Sequence, residues 1–229
     1  LSIRGLPFFL SDLFKFRKGF NGRMNIMPCL HDRFEEGGET KSEYFWQDLL
    51  VARDIFEKMP EKHVDIGSRI DGFVSNVASF REIEVFDVRP ITTEIPGVTF
   101  RQMDLMNPPE FSFSNNGYCD SLSCLHAIEH FGLGRYGDPL DPNGYKRGLE
   151  NMALLLKPGG TFYLSTPIGQ ERVEFNAHRV FDPNIIVSLT KKNGLSLEHL
   201  NLINPNGTIS DIPPNADELF KLSKLSYSL

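Results

Sequence analysis

The sequence has few cysteines, and they form no pattern typical of a metal site or a disulfide framework. Its 229 residues include three cysteines, Cys29, Cys119 and Cys124, an odd number without zinc-site spacing. Cys119 and Cys124 lie in an apolar stretch, which indicates reduced thiols inside a core. A small scaffold held by disulfides is therefore excluded, and we expect a reducing compartment, the cytoplasm.

Long apolar runs and an excess of positive charge are also missing. No run approaches the roughly 18 residues of a membrane helix, and the apolar residues 6–10 are too few for a secretion signal. The 24 lysines and arginines are outnumbered by 30 aspartates and glutamates, which gives a net charge of −6. We therefore expect no membrane span and no nucleic-acid partner, because the basic field that attracts nucleic acid is absent.

The central part of the chain alternates strand-like runs with helix-like segments. Predicted strands cover residues 64–66, 83–86, 98–103, 118–125, 161–165 and 195–203, and predicted helices cover 42–59, 72–80, 144–156 and 183–192. Ser42 and Asp182 are placed to cap the first and last of these helices. The alternation predicts an α/β fold of the Rossmann-like, doubly wound class, with a mostly parallel sheet and helices on both faces.

Composition and pattern divide the chain into three parts. Residues 1–41 form a peripheral segment, with one short helix predicted at 10–16. Residues 42–205 form the Rossmann-like domain, and residues 206–229 form a tail that packs on this domain or extends it. Ligands of such domains lie at the carboxyl ends of the strands, near the point where the strand order reverses, so we expect the functional site there.

A glycine turn after the first predicted strand is the most informative segment. Asp65 lies at the strand end, Gly67 lets the backbone turn without a Cβ, and Gly72 lets the next helix approach a ligand. A nicotinamide dinucleotide site would carry a further glycine where Arg69 stands, and the carboxylate of Asp65 would repel a pyrophosphate. The segment favours a nucleoside cofactor that has a carboxylate and a positive centre but no phosphate.

This segment resembles the first motif of the class I S-adenosylmethionine-dependent methyltransferases, which here reads Asp65-Ile66-Gly67-Ser68. Residues 69–71 depart from the further glycine that is usual in that family. Residues 120–130 resemble the family's fourth strand and the loop after it, and residues 155–162 resemble the turn before the fifth strand. In motif order the resemblance covers residues 61–203. It implies the family's Rossmann-like fold, of the small-molecule or sugar type, and S-adenosyl-L-methionine as the cofactor.

The resemblance implies a cofactor pocket at the strand ends. It implies that Asp87 binds both ribose hydroxyls, because a carboxylate accepts two such hydrogen bonds strongly, and that Asp104 holds the adenine amino group. Tyr44 and Gln47, on the helix before the first strand, would flank the amino-acid end of the cofactor. The cofactor-binding residues implied in this way are Asp65, Gly67, Ser68, Arg69, Gly72, Asp87, Val88, Asp104, Leu105, Leu125 and His126.

Two loops supply the candidate catalytic residues. Methyl transfer to a hydroxyl requires that water be excluded, the nucleophile be aligned and its proton be removed. His130 and Glu129 follow the fourth strand; an imidazole titrates near neutral pH, and Glu129 would orient it or act as the base itself. His178 follows the fifth strand and, by resemblance to methyltransferases of small molecules and sugars, would reach the pocket from the other side. The same groups are possible metal ligands, but their spacing differs from H-E-x-x-H, so no metal is predicted.

The segment 131–145, rich in Gly, Pro and Asp, has two open interpretations. In the first it is a lid or specificity loop that brings Arg135 and Tyr136 to the substrate. In the second it is a disordered connector.

The motifs together predict methylation of an oxygen atom. The Asn-Pro-Pro-Tyr type motif of amino-directed base methyltransferases is absent after the fourth strand. We therefore expect an S-adenosylmethionine-dependent methyltransferase that acts on a hydroxyl of a small molecule or a sugar or glycan, by in-line transfer with a His/Glu general base. An NAD-dependent oxidoreductase or epimerase is an alternative, which Arg69 and the lack of a Tyr-x-x-x-Lys pair disfavour. A non-catalytic cofactor-binding domain is a further alternative, and a homodimer stays open.

Overall fold

The computed structural model of the chain describes residues 3–38, 40–108 and 116–228. The chain divides into two compact units, Leu1–Thr40 and Lys41–Leu229. Among the described helices, none combines the length and the apolar character that a bilayer crossing requires.

The first unit is built around one helix, α1 (Leu6–Gly19), between the 3-10 turns Ile3–Gly5 and Asp32–Phe34. The helix is longer than the predicted 10–16. It begins earlier because Pro7 stands in its first turn, where a missing backbone N–H costs no hydrogen bond. None of the helix residues is buried, so α1 contributes little to a core.

The second unit is organised by a parallel sheet. Its strands in the described chain are β1 (His63–Ile66), β2 (Ile83–Asp87), β3 (Val98–Gln102), β4 (Cys119–Leu125) and β5 (Leu156–Ser165). Their order is β3-β2-β1-β4-β5, and every neighbouring pair is parallel. Both β1 and β2 are buried at each position, as in sheets that are covered on two faces. The predicted Rossmann-like class is confirmed, and the order reverses between β1 and β4, where a crevice forms at the carboxyl ends.

Helices cover both faces of this sheet. They are α2 (Glu43–Lys58), α3 (Ser75–Ala78), α4 (Gly144–Leu155) and α5 (Pro183–Lys192). Ala52 and Ile55 of α2 belong to one apolar cluster with α3. Leu149 and Met152 of α4 join Ile186 of α5 in another. Alternate positions of the strands supply the two clusters, because successive side chains point to opposite faces of a sheet.

Two helix starts agree with the prediction from the sequence, and one does not. The predicted caps are confirmed, since Ser42 accepts a hydrogen bond from Tyr44 N and Asp182 accepts one from Asn184 N. The predicted helix 72–80 is wrong in its first part, because Gly72 has φ −125° and ψ −110° and regular helix begins only at α3. The backbone there lies close to α2: a Cβ at Gly72 would come 2.7 Å from Asp48 Oδ2.

The predicted sixth strand at 195–203 is wrong as a member of the sheet. Two antiparallel hairpins lie outside it in the described chain, β6 (Arg172–Glu174) with β7 (His178–Val180), and β8 (Asn201–Ile203) with β9 (Ile209–Asp211). Leu202 of β8 packs with Ile168 and with Leu222 of the C-terminal helix α6 (Ala216–Leu222). The apolar side chains of this segment are therefore buried in a separate cluster and not in the sheet.

Candidate functional site

A cavity of about 630 Å³ opens at the carboxyl edge of the sheet, which is within the usual range of small-molecule sites. A narrower cavity of about 50 Å³, lined by Ile66, Phe86, Met103 and other apolar side chains, adjoins it beside the ends of β2 and β3. The two cavities share part of their walls. The shared residues are Gly67, Asp87, Arg89, His126, His130 and Tyr136.

The glycine turn after β1 is fixed by a buried carboxylate. Asp65 is fully buried and accepts hydrogen bonds from Ser68 N at 3.0 Å, from Ser68 Oγ at 2.7 Å and from Ser123 Oγ at 2.5 Å. Burial raises the pKa of Asp65 to about 6. Its side chain lines neither cavity. Asp65 therefore shapes the turn, and its direct contact with a cofactor stays a prediction.

Gly67 brings that turn close to the loop after β4. Its φ is +72°, a conformation that L side chains rarely adopt, and an added Cβ would lie 3.0 Å from the Cβ of Ala127. Its N–H donates to the carbonyl of Phe86 at 2.9 Å. The glycine that the sequence singled out is thus required by both conformation and space.

A histidine that the sequence did not single out supports the same turn. His63 Nδ1 lies 2.7 Å from Ser121 Oγ and Nε2 lies 3.1 Å from Ser123 Oγ. Because Ser123 already donates its proton to Asp65, Nε2–H of His63 donates to Ser123 and Nδ1 accepts from Ser121. Burial lowers the pKa of His63 to about 3, which keeps the ring neutral. Nothing in the spacing of the sequence reveals this contact between strands.

Asp87, at the end of β2, is engaged by an arginine two residues later. Asp87 Oδ1 accepts from Arg89 N at 2.8 Å and from Arg89 Nε at 3.0 Å, and Oδ2 accepts from Arg89 Nη2 at 2.6 Å. The Arg89 guanidinium lies 4.5 Å from the centre of the Tyr136 ring. Arg89 gave no signal in the sequence, because an arginine after a strand is ordinarily a surface residue.

The other residues predicted near the cofactor's nucleoside line the narrower cavity. Asp104 lies there with Val88 and Leu105. Its Oδ1 accepts from Met106 N at 2.9 Å and its Oδ2 from the side chain of Asn107 at 3.1 Å. Asp104 thus orders the loop that follows β3.

The loop after β4 holds a buried histidine–glutamate pair. His126 has φ +51°, which is uncommon for a residue other than glycine, and its Nδ1 lies 2.8 Å from Glu129 Oε1. Tyr44 of α2 packs against the His126 ring, with centroids 4.6 Å apart. His126 Nε2 and Glu129 Oε2 are both buried without a hydrogen-bond partner among the described residues. Such atoms are rare in native proteins and call for a partner.

His130 is held in one tautomer beside this pair. Its Nδ1 lies 2.7 Å from the carbonyl of Ala177, and because a carbonyl only accepts, Nδ1 carries the proton and the lone pair is on Nε2. Nε2 lies 3.8 Å from Glu129 Oε1. Burial lowers the pKa of His130 below its ordinary value. The ring is therefore neutral near pH 7 and has a free acceptor nitrogen.

The segment 131–145 begins with a compact loop that closes one side of the cavity. The carboxylate of Asp138 accepts from the backbone N–H groups of Gly132, Gly134 and Tyr136 at 2.9, 3.2 and 3.2 Å. This loop presents Arg135 and Tyr136 to the larger cavity. The first of the two interpretations, a loop at the active edge, agrees with this placement.

The larger cavity brings together most of the residues that the sequence predicted. They are Tyr44, Gln47, Gly67, Ser68, Arg69, Asp87, Leu125, His126, Glu129, His130, Arg135, Tyr136 and His178. His178 of β7 lies with its ring 6.3 Å from that of Tyr227. Gly72 joins Asp65 in lining neither cavity. Sequence reasoning missed Asp48, Arg89 and Tyr227, which enter the wall through tertiary contacts.

No three His, Cys, Asp or Glu side chains are arranged to hold a metal ion within the described part of the chain. His126 and Glu129 are joined to each other by a direct hydrogen bond.

Residues 77–191 match the model of a family described as "Caenorhabditis protein of unknown function, DUF268". The match covers half of the chain, and the chain belongs to this family. No curated protein matches the sequence.

Solved structures show which fold this is. The CurJ carbon methyltransferase superposes with a TM-score of 0.51 and 14% identity, over 79% of this chain and 52% of that one. A putative sarcosine dimethylglycine methyltransferase from Galdieria sulphuraria superposes with a TM-score of 0.50 and 14% identity, over 67% of this chain and 61% of that one. The chain thus spans about half to three fifths of their length. It has the fold of the class I S-adenosylmethionine-dependent methyltransferases, as the first motif predicted.

Proposed function

We propose that this member of the DUF268 family is an S-adenosylmethionine-dependent methyltransferase that methylates a hydroxyl of a small molecule or a sugar. The observation that carries the proposal is the meeting of two groups of residues in one cavity. The glycine turn at Gly67 and the acid Asp87 form one side, and His126, Glu129 and His130 form the other. The fold places this cavity at the strand ends, where ligands of such sheets bind.

The residues present fit the cofactor. Gly67 leaves room where a side chain would close the turn, and Asp87 at the tip of β2 offers two oxygens to the ribose hydroxyls once Arg89 moves off them. Asp104, with Val88 and Leu105, would hold the adenine in the narrower cavity. Ser68, Arg69, Leu125 and His126 would surround the amino-acid arm, beside Tyr44 and Gln47. Asp65 and Gly72 would act indirectly, through the shape of the turn.

The bound cofactor would supply a methyl group carried on a sulfonium sulfur. Because loss of the methyl group leaves a neutral thioether, no acid is needed to protonate the leaving group. The acceptor hydroxyl must lose its proton, and His130 Nε2 is the free acceptor that takes it, since Nδ1 is held by Ala177. Glu129 Oε1, 3.8 Å from Nε2, stabilises the imidazolium that forms. His178 on the same cavity is the second candidate for the base.

The size and charge of the site support a small acceptor. A cavity of about 630 Å³ suits a cofactor arm and a compact substrate. The net charge of −6 disfavours a nucleic acid. The described cysteines are free thiols, and two of them are buried, which supports a reducing compartment such as the cytoplasm.

Binding of radiolabelled S-adenosylmethionine, measured by equilibrium dialysis, tests the cofactor assignment. We expect saturable retention that unlabelled S-adenosylhomocysteine displaces and NAD does not. Displacement by NAD, with no retention of the methionine cofactor, would support the oxidoreductase alternative. Retention without methyl transfer to any hydroxyl acceptor, in a panel of sugars and small alcohols, would support the non-catalytic alternative.

A further inference from the structure

We propose that Arg135, Arg89 and Tyr136 form a recognition site for an anionic group, a carboxylate or a phosphate, on the acceptor molecule. The inference rests on the proposed function, whose acceptor it narrows to acidic molecules. It also makes Arg135 and Arg89 specificity-determining residues.

Two guanidinium groups lie against the same aromatic ring in the wall of the cavity. The Arg89 guanidinium carbon is 4.5 Å from the centre of the Tyr136 ring, and that of Arg135 is 5.2 Å from it. An arginine fork matches a carboxylate or a phosphate in two parallel hydrogen bonds, and stacking on a ring limits the freedom that binding would otherwise remove. Two forks at one ring therefore suit an anion, provided that Arg89 is first released from Asp87.

The same ring also touches the proposed base. Tyr136 meets the His130 ring edge-on, with centroids 5.4 Å apart and planes at 90°. An acceptor whose anionic group is held at Tyr136 would thus present its neighbouring hydroxyl to His130. Charge recognition and proton removal would be adjacent steps in one cavity.

The charge of Arg135 is not compensated by a carboxylate. Among the described residues no Asp or Glu lies within ion-pair distance of it, whereas Arg69 pairs with Asp71 at 2.7 Å and Arg89 with Asp87 at 2.6 Å. Arg135 donates through Nη1 to the carbonyl of Ala177 at 2.9 Å, so Nη2 and Nε are left for a ligand.

The remaining acids of the cavity do not cancel that charge. Glu129 is buried and bonded to His126 at 2.8 Å. Asp48 Oδ1 accepts a hydrogen bond from Gln47 Nε2 at 3.1 Å, and among the described residues Asp48 forms no ion pair with Arg135. Arg135 is therefore the cation of this wall whose guanidinium lacks a carboxylate partner among the described residues.

Arg89 becomes available only when the cofactor is bound. Arg89 occupies both oxygens of Asp87, because Oδ1 accepts from Arg89 N and Nε and Oδ2 accepts from Nη2. The two ribose hydroxyls need acceptor positions on both oxygens. The exchange frees the Arg89 fork, while the contact with Tyr136 keeps the guanidinium at the cavity. The site therefore predicts that the cofactor binds first and the acidic acceptor second.

Calorimetric titration of the protein saturated with S-adenosylhomocysteine tests the proposal. The probes are D-glucuronate, D-glucose 6-phosphate and neutral D-glucose. We expect at least one charged sugar to bind at least about tenfold more tightly than glucose, because charge-assisted hydrogen bonds to a fork add that much affinity. The stronger of the two charged probes identifies a carboxylate or a phosphate as the preferred group.

Arg135→Gln should remove most of that preference and leave the affinity for S-adenosylhomocysteine unchanged. Arg53→Gln, on the exposed side of α2 where Arg53 pairs with Glu57, is the matched control and should keep the preference. Equal binding of charged and neutral sugars, an unchanged preference in Arg135→Gln, or no binding of either anion up to about 10 mM would each overturn the anion site.

The same titration distinguishes failure of the proposed function from failure of the anion site. If S-adenosylhomocysteine itself does not bind, the proposed function fails, and the titration is run on the protein alone. A preference for the charged sugars that Arg135→Gln removes would then still support an anion site. The absence of that preference would overturn both proposals.

Discussion

The two sides of the cavity differ in how their polar atoms are satisfied. On the β1–β2 side, Asp65 accepts three hydrogen bonds and Asp87 three more. On the β4 side, His126 Nε2 and Glu129 Oε2 are buried without a partner among the described residues. A satisfied carboxylate stabilises the fold, whereas an unpartnered buried atom costs free energy until a ligand meets it.

The backbone shows the same contrast. In the turn after β1 the residue with positive φ is Gly67, for which it carries little cost, whereas directly after β4 it is His126, which has a side chain. A side chain held in that region stores strain of about 1–3 kcal/mol, and such strain is concentrated at functional sites. The β1–β2 side therefore has its polar atoms satisfied before a ligand binds, whereas the β4 side does not, and we expect substitutions on the two sides to differ accordingly.

Replacing Asp65 with Ala should have the largest effect, and it should be on stability. The change leaves Ser68 and Ser123 with buried donors that have lost their acceptor, so the free energy of unfolding should fall by about 3–5 kcal/mol. Urea denaturation followed by circular dichroism measures it. Glu82→Ala, at an exposed position just before β2, is the control. A loss below about 1 kcal/mol would show that Asp65 does not hold the turn.

Replacing His130 with Gln should act on catalysis and spare stability. The amide can still donate to the Ala177 carbonyl but cannot take up a proton, so the methyl-transfer rate at saturating cofactor should fall about 100-fold or more. The affinity for S-adenosylhomocysteine should stay the same.

His178→Gln is the matched comparison and should lower the rate less than about tenfold. The reverse result would move the base to His178. A rate in His130→Gln within about tenfold of the wild type, with His178→Gln equally active, would contradict a histidine base.

Replacing Arg89 with Gln should strengthen cofactor binding. The change removes the guanidinium that occupies both oxygens of Asp87, so the dissociation constant for S-adenosylhomocysteine should fall about threefold to tenfold. Titration calorimetry measures it, with Arg53→Gln as the control. An affinity that is weakened would mean that Arg89 contacts the cofactor directly and that the ribose does not compete with it.

The smallest of the expected effects is on the pH dependence of catalysis. Burial lowers the pKa of His130 below 6.5, its ordinary value, and the base works only when neutral. The ratio kcat/KM should therefore fall to half of its plateau value at a pH below 6.5, as the imidazole takes up a proton. A half-maximal ratio at a pH above 6.5 would indicate that the site favours the charged form of His130.

The sequence predicted the elements that depend on local pattern. The order of strands and helices, the caps at Ser42 and Asp182, and the turn at Gly67 follow from periodicity, hydrogen-bonding side chains and backbone freedom. It did not predict what depends on packing. The irregular backbone at Gly72 follows from its contact with α2. Residues 195–203 lie outside the parallel sheet because Leu202 packs in a separate apolar cluster.

The site was predictable in its position but not in its pairings. The residues named for it lie after the strands that the sequence located, so most of them meet in one cavity. Which way a carboxylate points is decided by neighbours distant in sequence. Asp65 turns inward to Ser123, 58 residues away, and Asp87 pairs with Arg89, which no motif or spacing singles out.

A crystal structure of the protein with S-adenosylhomocysteine would show directly whether Asp87 binds the cofactor. We expect both ribose hydroxyls within hydrogen-bond distance of Asp87, Arg89 released from at least one of its oxygens, and the sulfur facing His130. Density for the ligand outside this cavity, or a ribose remote from an Asp87 still paired with Arg89, would contradict this expectation.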